Sequence, residues 1–318
     1  MTGFRHLALL LACALLSACA GGESGGPSLL GACGLGKRTD LPLTMVGVVP
    51  MLRVQINGVP ARFELDTGAA YSAIERRTAL ALGLLHDVSH SKVTDISGLH
   101  DTDVVSVGRL DIGPFNAADR KFQISDGLPF EGVIGLDLLK ADQIEIDERG
   151  GRAMLQEGSL CKGQSPFTES GAIEMPAIQV APNGKPDGPN LLPRLLAPAR
   201  LDGALALAMF DTGALAGSLV HPDFAAKLGL TEAVLAQDKQ VFSRGFYASA
   251  PLRVHHFSQL DLNGETFRNP VLLVGGASMV GHQIVLGAEY FRTHRIWFDF
   301  VGKRVFSLPL PRQTAPGS

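Results

Sequence analysis

The chain has 318 residues, a formal net charge of −3, 46% hydrophobic residues and 19% charged ones. That length gives room for two modest lobes, each with its own core. The apolar content excludes a disordered chain, and the lack of a basic field argues against nucleic acid as a partner. The 37 glycines and 19 prolines favour turns and β structure over a helix bundle.

The chain opens with Arg5 and His6, a short basic start, and then an apolar run from Leu7 to Leu16. The run has signal-peptide length and is too short to span a bilayer. It ends in Leu16-Ser17-Ala18-Cys19, which resembles a bacterial lipobox. The resemblance implies that residues 1–18 are removed and that the Cys19 thiol is lipidated, anchoring the protein in a bacterial membrane. An ordinary secretory signal, with Cys19 left as a plain thiol, is the alternative. Ala20 follows Cys19 rather than an Asp, so the resemblance further implies sorting to the outer membrane, facing the periplasm. Residues 19–40, rich in Gly with Ser24, Pro27 and Ser28, read as a flexible tether. Two cysteines remain once Cys13 and Cys19 are set aside. An oxidising compartment permits a disulfide between Cys33 and Cys161, which would tie the entry of the first lobe to its exit; two free thiols are the alternative.

The remainder repeats itself. Asn57-Gly58 lies nine residues before Asp66, and Asp202-Gly203 nine before Asp211. The two Asp are 145 residues apart. Ala81-Leu82-Gly83-Leu84 returns as Lys227-Leu228-Gly229-Leu230 at an offset of 146, and Val133-Ile134-Gly135 returns as Val285-Leu286-Gly287 at 152. The offset drifts upward in small steps, as it does when loops in two copies differ in length. Each copy reads mostly as strand. Met51–Ile56 turns at Asn57-Gly58, a strong hairpin signal, and Ala61–Leu65 runs into the first Asp. Glu75–Leu82 and Pro222–Leu228 carry helix signals and stop at glycine. Single helical turns are expected at 137–140 and 289–292, and terminal strands at 143–146 and 295–300. The predicted layout is a first lobe over 41–161, an inter-lobe linker with the start of the second lobe over 162–198, a second lobe over 199–310 and a tail over 311–318.

Asp66-Thr67-Gly68 and Asp211-Thr212-Gly213 carry the chemistry. Two carboxylates that share one proton can act as base and acid at once, because like charges a few ångströms apart do not both ionise. One Asp from each repeated lobe, meeting across a pseudo-twofold axis, supplies such a pair. Apolar residues before each Asp place it at the end of a core strand. The glycine is expected to let the backbone turn tightly beneath the carboxylate.

The apolar-Asp-Thr-Gly-Ala loop, followed some seventy residues later by two apolar residues and Gly, resembles the retropepsin-like aspartic peptidases. Both copies have it: Leu65–Ala69 with Val133-Ile134-Gly135, and Phe210–Ala214 with Leu286-Gly287. Ala69 and Ala214 are similar to the retroviral and bacterial branch rather than to pepsins, which usually have a hydroxyl residue there. The resemblance covers roughly residues 45–155 and 195–308. It implies a mainly β fold of two homologous acid-protease barrel lobes with short helices, and an active site in the cleft between them. It implies that Asp66 and Asp211 hold the water, that Thr67 and Thr212 brace the two loops, and that a single chain suffices as a monomer. A substrate-covering flap is expected near Ser97-Gly98 in the first lobe and near Arg244-Gly245 in the second; Phe246 and Tyr247 beside it read as core packing. Without a hydroxyl after each Gly, the pair should be less acid-shifted than in pepsin.

Other constellations fail. His255-His256 are adjacent and point to opposite faces of a strand, and no His-Glu-x-x-His or paired-Cys metal motif exists. No Gly-x-Ser-x-Gly elbow anchors a serine hydrolase. No metal or cofactor is called for. The expected function is an aspartic endopeptidase acting on a peptide or protein substrate. Its rival is a non-catalytic peptide-binding or scaffolding lipoprotein that keeps the fold, and a processing enzyme with very few partners is a third reading.

Overall fold

The computed structural model describes residues 33–311, apart from 87, 140–141, 182–184, 187–190 and 278–280. The signal peptide, Cys19, the first part of the tether and the tail after 311 lie outside the described residues. So does Lys140, at the end of the helical turn expected over 137–140. The first repeat runs β1 (Gly34–Val46), β2 (Val49–Ile56), β3 (Val59–Leu65), β4 (Ala73–Glu75), α1 (Arg76–Ala81), β5 (Val88–Asp95), β6 (Gly98–Ile112), β7 (Phe115–Ser125), β8 (Gly132–Ile134), β9 (Gln143–Asp147) and β10 (Arg152–Ser159). After β11 (Ile173–Pro176), the second runs β12 (Leu196–Leu201), β13 (Ala204–Phe210), β14 (Leu219–Val220), α2 (Pro222–Lys227), α3 (Glu232–Leu235), β15 (Lys239–Arg244) and β16 (Ser249–His256). It continues through β17 (Gln259–Leu262), β18 (Glu265–Arg268), β19 (Val271–Gly275), β20 (Ile284–Leu286), α4 (Ala288–Phe291), β21 (His294–Asp299) and β22 (Arg304–Pro309). The fold is mainly β, with two sheets in two lobes.

The hairpin signals are honoured in backbone detail. Asn57 and Gly58 have φ of 51° and 83°, and Asp202 and Gly203 have 47° and 83°. Two successive positive φ values make the tight turn whose twist matches the strands it joins. In each lobe the strand leading to the Asp loop is then gripped the same way. β3 pairs in parallel with β8, which pairs antiparallel with β4, which pairs in parallel with β7. β13, β20, β14 and β19 repeat this order. Both Asp loops therefore leave the end of a strand held on both sides. The second copy is more broken: β16 and β17 stand where the first lobe has the single strand β6, and β18 and β19 stand for β7. The second break holds Asn269, at φ 50°, and Pro270, which has no N–H for a ladder.

The lobes are joined by an antiparallel set in the order β11-β22-β21-β9-β10-β1, with strands from both copies meeting at β21 and β9. Trp297 Nε1 donates to Gln143 Oε1 across that seam, at 2.7 Å, and the Arg295 guanidinium bonds Glu145. Here the expected tether is corrected. Residues 34–40 belong to β1, pairing with β10 from Gly34↔Ser159 to Asp40↔Met154, so partners far along the chain hold them in place. Cys33 and Cys161 close the end of this ladder as a disulfide, with Cα atoms 4.9 Å apart. At 137–139 the chain makes a turn, with Leu138 and Leu139 N–H both donating to the Gly135 carbonyl. The corresponding α4 is a short helix.

Candidate active site

Asp66 and Asp211 follow directly on β3 and β13. Their own N–H groups donate to Ile134 and Leu286 carbonyls at 3.0 and 2.9 Å, so each loop is pinned to the neighbouring strand. The two carboxyls meet at the lobe interface, each lying over the other loop's glycine, and each perturbs the other's ionisation. Around them the Thr pair knits the loops. Thr67 Oγ1 donates to the Phe210 carbonyl and accepts from Thr212 N–H, at 2.9 and 3.1 Å. Thr212 Oγ1 donates to the Leu65 carbonyl and accepts from Thr67 N–H, at 2.6 and 3.0 Å. Both threonines are buried.

Gly68 and Gly213 serve a purpose other than the one expected. Neither has a positive φ, so no backbone strain selects glycine. A Cβ on Gly68 would lie 2.2 Å from Asp211 Cγ, and one on Gly213 would lie 2.5 Å from Asp66 Cγ. Each glycine is bare because the other lobe's carboxyl occupies the space a side chain would need.

The surroundings of the two carboxyls differ. Asp66 Oδ1 accepts from both Gly68 and Ala69 N–H at 2.8 Å. Among the described residues, Gly213 N–H is the one backbone donor to Asp211 Oδ1, because Ala214 N–H turns instead to the Asp211 carbonyl. Burial raises both above the ordinary carboxylate range, and the negative charge of Asp66 adds to this at Asp211. Asp211 is raised well above its ordinary value and Asp66 less so, which biases the shared proton toward Asp211.

A cavity of about 1100 Å³ opens above the pair, lined from both lobes and by both hairpins. The β5–β6 hairpin turns at Ile96-Ser97. Ile96 lines the cavity, whereas Gly98, expected to touch substrate, does not and instead takes the turn's exit at φ 127°. The β15–β16 hairpin turns at residues 245–248, and Gly245 does line the cavity. Its Cα is bare because Asp95 Oδ2 would meet a Cβ at 2.4 Å. Phe246 and Tyr247 are not core of their own lobe. Phe246 packs against Ala69, Ala73, Leu128 and Val133 of the first lobe, and its carbonyl accepts from Ser125 Oγ at 2.6 Å. Tyr247 stacks on His100, donates its hydroxyl to the Ile124 carbonyl and its N–H to Asp95. The first hairpin returns the grip, with the Ile96 carbonyl accepting from Ala277 N–H at 2.7 Å.

Several site groups escaped sequence reasoning. Ser72 donates from N–H and Oγ to Asp137 Oδ1 and accepts from Gly135 N–H. Ser218 repeats part of this: its N–H donates to Glu289 Oε1 and its Oγ accepts from Gly287 N–H. The signal was present: an acid stands two residues after the downstream Gly in both copies. Glu64 is 3% exposed, and burial, with the charges of Asp66 and Asp211, raises its carboxyl well above the ordinary value. A Glu inside a buried strand, where the second copy has Met209, was its signal. Arg194, in the segment before β12, also lines the cavity.

A model of the aspartyl protease family matches the chain twice, at residues 52–138 and 197–290. Each match takes in one Asp loop and the apolar-apolar-Gly strand that pins it. No curated protein sequence matches the chain. The two matches cover more than half of its 318 residues and coincide with the two halves that build one paired-carboxyl site: the chain belongs to the aspartyl protease family.

Proposed function

We propose that the protein is an aspartic endopeptidase that hydrolyses peptide bonds with Asp66 and Asp211. One observation carries this reading: two carboxyls from symmetry-related loops are brought together in a large cleft, each seated over the other loop's glycine. Asp66, ionised and steadied by two backbone N–H donors, takes a proton from water as its oxygen attacks the scissile carbonyl carbon. Asp211 gives its proton to the carbonyl oxygen, so a neutral tetrahedral diol forms. In collapse, Asp66 returns its proton to the leaving nitrogen and Asp211 recovers one from a hydroxyl as the C–N bond breaks. No cofactor enters this cycle. The hairpins bear on the cleft from both sides, so an extended peptide is held by backbone hydrogen bonds and side-chain pockets.

Thr67 and Thr212, with Gly68 and Gly213, act by positioning: they set the separation of the carboxyls. One chain brings both loops, so a monomer suffices. The apolar Leu7–Leu16 run and Cys19 support a lipid anchor in a bacterial envelope, facing the periplasm, and the Cys33–Cys161 disulfide fits an oxidising compartment. Incorporation of labelled palmitate, lost in Cys19→Ser, tests the anchor.

The catalytic test is cleavage of a diverse peptide library between mildly acid and neutral pH. Cleavage is expected for the wild type and lost in Asp66→Asn and in Asp211→Asn. Cleavage that survives either substitution refutes the assignment, and a folded wild type that cuts no peptide favours the scaffolding alternative.

A further inference from the structure

The twofold frame of the site is broken by one charge. In the second lobe Leu196 pairs with Met209, so continuing the antiparallel register by two residues sets Arg194 beside Asp211. In the first lobe Met51 pairs with Glu64, and the same continuation sets Val49 beside Asp66. In register, a valine thus stands opposite Asp66 where an arginine stands opposite Asp211, and the arginine's charge acts on both carboxyls.

Arg194 lines the cavity, and its Nε is buried without a hydrogen-bond partner. It feels Asp211, Asp66 and Tyr71 through space, yet makes no ion pair among the described residues. The residue is part-buried, and a buried donor left without a partner costs roughly 1–3 kcal/mol. A guanidinium is also a planar fork of donors that matches a carboxylate in bidentate fashion. Tyr71 beside it is half-exposed to the same cavity. The wall adds Lys92, Arg120, Lys121 and Arg244, against Asp95, Asp119 and Asp137. With one proton shared by the Asp66–Asp211 pair, the lining carries a slight positive excess. Asp95 is already engaged by Ser97 and Tyr247.

We propose that Arg194 forms a carboxylate-binding subsite beside the catalytic pair, so that the preferred peptide carries a carboxylate within a residue of the bond that is cut. The carboxylate comes either from an acidic side chain or from a free C-terminus, the second making the cut a trimming of the chain end rather than an internal one. The cutting rests on the endopeptidase reading; the binding does not.

Uncleavable statine-containing peptides separate the two. The set has Glu or Gln on either side of the statine unit, each made with a free or an amidated C-terminus. Binding is measured by calorimetry at pH 6 on the full chain, on Arg194→Met and on Arg194→Lys, with melting temperatures as the folding control. A charged hydrogen-bonded pair predicts roughly 10- to 100-fold tighter binding of the Glu than of the Gln peptide by the wild type. The ratio should fall to about one in Arg194→Met and be partly kept in Arg194→Lys. A preference for the free acid over the amide, lost in the same way, assigns the carboxylate to a C-terminus and also supports the subsite. Equal binding of all forms by the wild type overturns the proposal, as does a Glu preference that survives Arg194→Met, or no binding by any peptide. If Arg194→Met does not fold, the wild-type ratio and Arg194→Lys decide. Arg194-dependent binding without turnover of the matching cleavable peptide would sink the peptidase reading alone, whereas turnover indifferent to Glu would sink the subsite alone.

Discussion

Replacing Thr67 with Val keeps shape and removes one hydroxyl, which isolates what the loop-to-loop hydrogen bonds contribute. Two bonds disappear: the one from Thr67 Oγ1 to the Phe210 carbonyl and the one Thr67 Oγ1 accepts from Thr212 N–H. Both orphaned groups are main-chain atoms in the buried heart of the site, and Thr212 is 0% exposed, so water cannot replace the lost partner. Each orphan costs roughly 1–3 kcal/mol, giving about 2–6 kcal/mol in all. Thr67→Ser keeps both bonds and should cost about 1 kcal/mol or less, from the lost methyl. Thr212→Val removes the other two bonds, to Leu65 and from Thr67. No bond is shared between the two residues, so simple addition predicts twice the loss for the double variant. A smaller loss is expected, because the first substitution already lets the loops part. Urea titration gives the stabilities, and statine-peptide affinity reports whether the carboxyls still meet. A Thr67→Val protein within 0.5 kcal/mol of wild type, or no more damaged than Thr67→Ser, would refute the role of these bonds.

Burial also sets the pH response. Glu148 is 2% exposed, and burial pushes its carboxyl up to about 8. The folded protein therefore holds a proton that the unfolded chain has released, and stability falls as pH rises from about 4.5 to about 8, by on the order of 3–5 kcal/mol. Glu148→Gln should flatten that slope in melts between pH 4 and 9, and an unchanged slope rejects this source. For activity, Asp66 must ionise and Asp211 must keep its proton, and both are raised by burial. The bell of kcat/KM against pH should peak at mildly acid to neutral pH; a maximum below pH 3 would contradict it. The Cys33–Cys161 bond closes a 128-residue separation, for which chain entropy predicts about 4–5 kcal/mol. Reduction, or a Cys33→Ser/Cys161→Ser double variant, should lower the urea midpoint accordingly, and a shift worth under 1 kcal/mol would show that the β1–β10 ladder holds without it.

What could be read from the sequence was what local rules decide. The Asn57-Gly58 and Asp202-Gly203 turns depend on two residues each. The start of α1 depends on Glu75, whose side chain caps Arg77 and Thr78 N–H. The Asp loops stood out because the chain carries them twice. What stayed hidden depends on partners far away in sequence. The Ser72–Asp137 clamp spans 65 residues. Residues 34–40 look like a glycine-rich tether until β10 is laid beside them. Gly68 looks like a turn residue until Asp211 is placed against it. Tyr247 looks like core until its ring is found on His100 of the other lobe. Arg194 had no local pattern to mark it, since only the register of β12 on β13 brings it to the pair.

Fusing two lobes in one chain permits something that two identical subunits do not. In a symmetric pair both carboxyls have the same surroundings, and the proton has no preferred side. Here the second loop is one residue longer: Leu215-Ala216-Gly217 stands between Ala214 and Ser218, where Ala70-Tyr71 stands between Ala69 and Ser72. Gly217, at φ 126°, takes up the extra residue. The loop then turns on itself, with Ala214 N–H donating to the Asp211 carbonyl and Gly217 N–H to the Ala214 carbonyl. Asp211 loses the second amide donor that Asp66 keeps. A hydrogen bond to a charged group is worth about 1.5–3 kcal/mol, which corresponds to roughly one to two pKa units between the partners. Arg194 favours ionisation, but of both carboxyls, so it does not reverse the order. In the proposed mechanism, a difference of one residue in loop length thus favours Asp66 as the base and Asp211 as the acid before any substrate arrives.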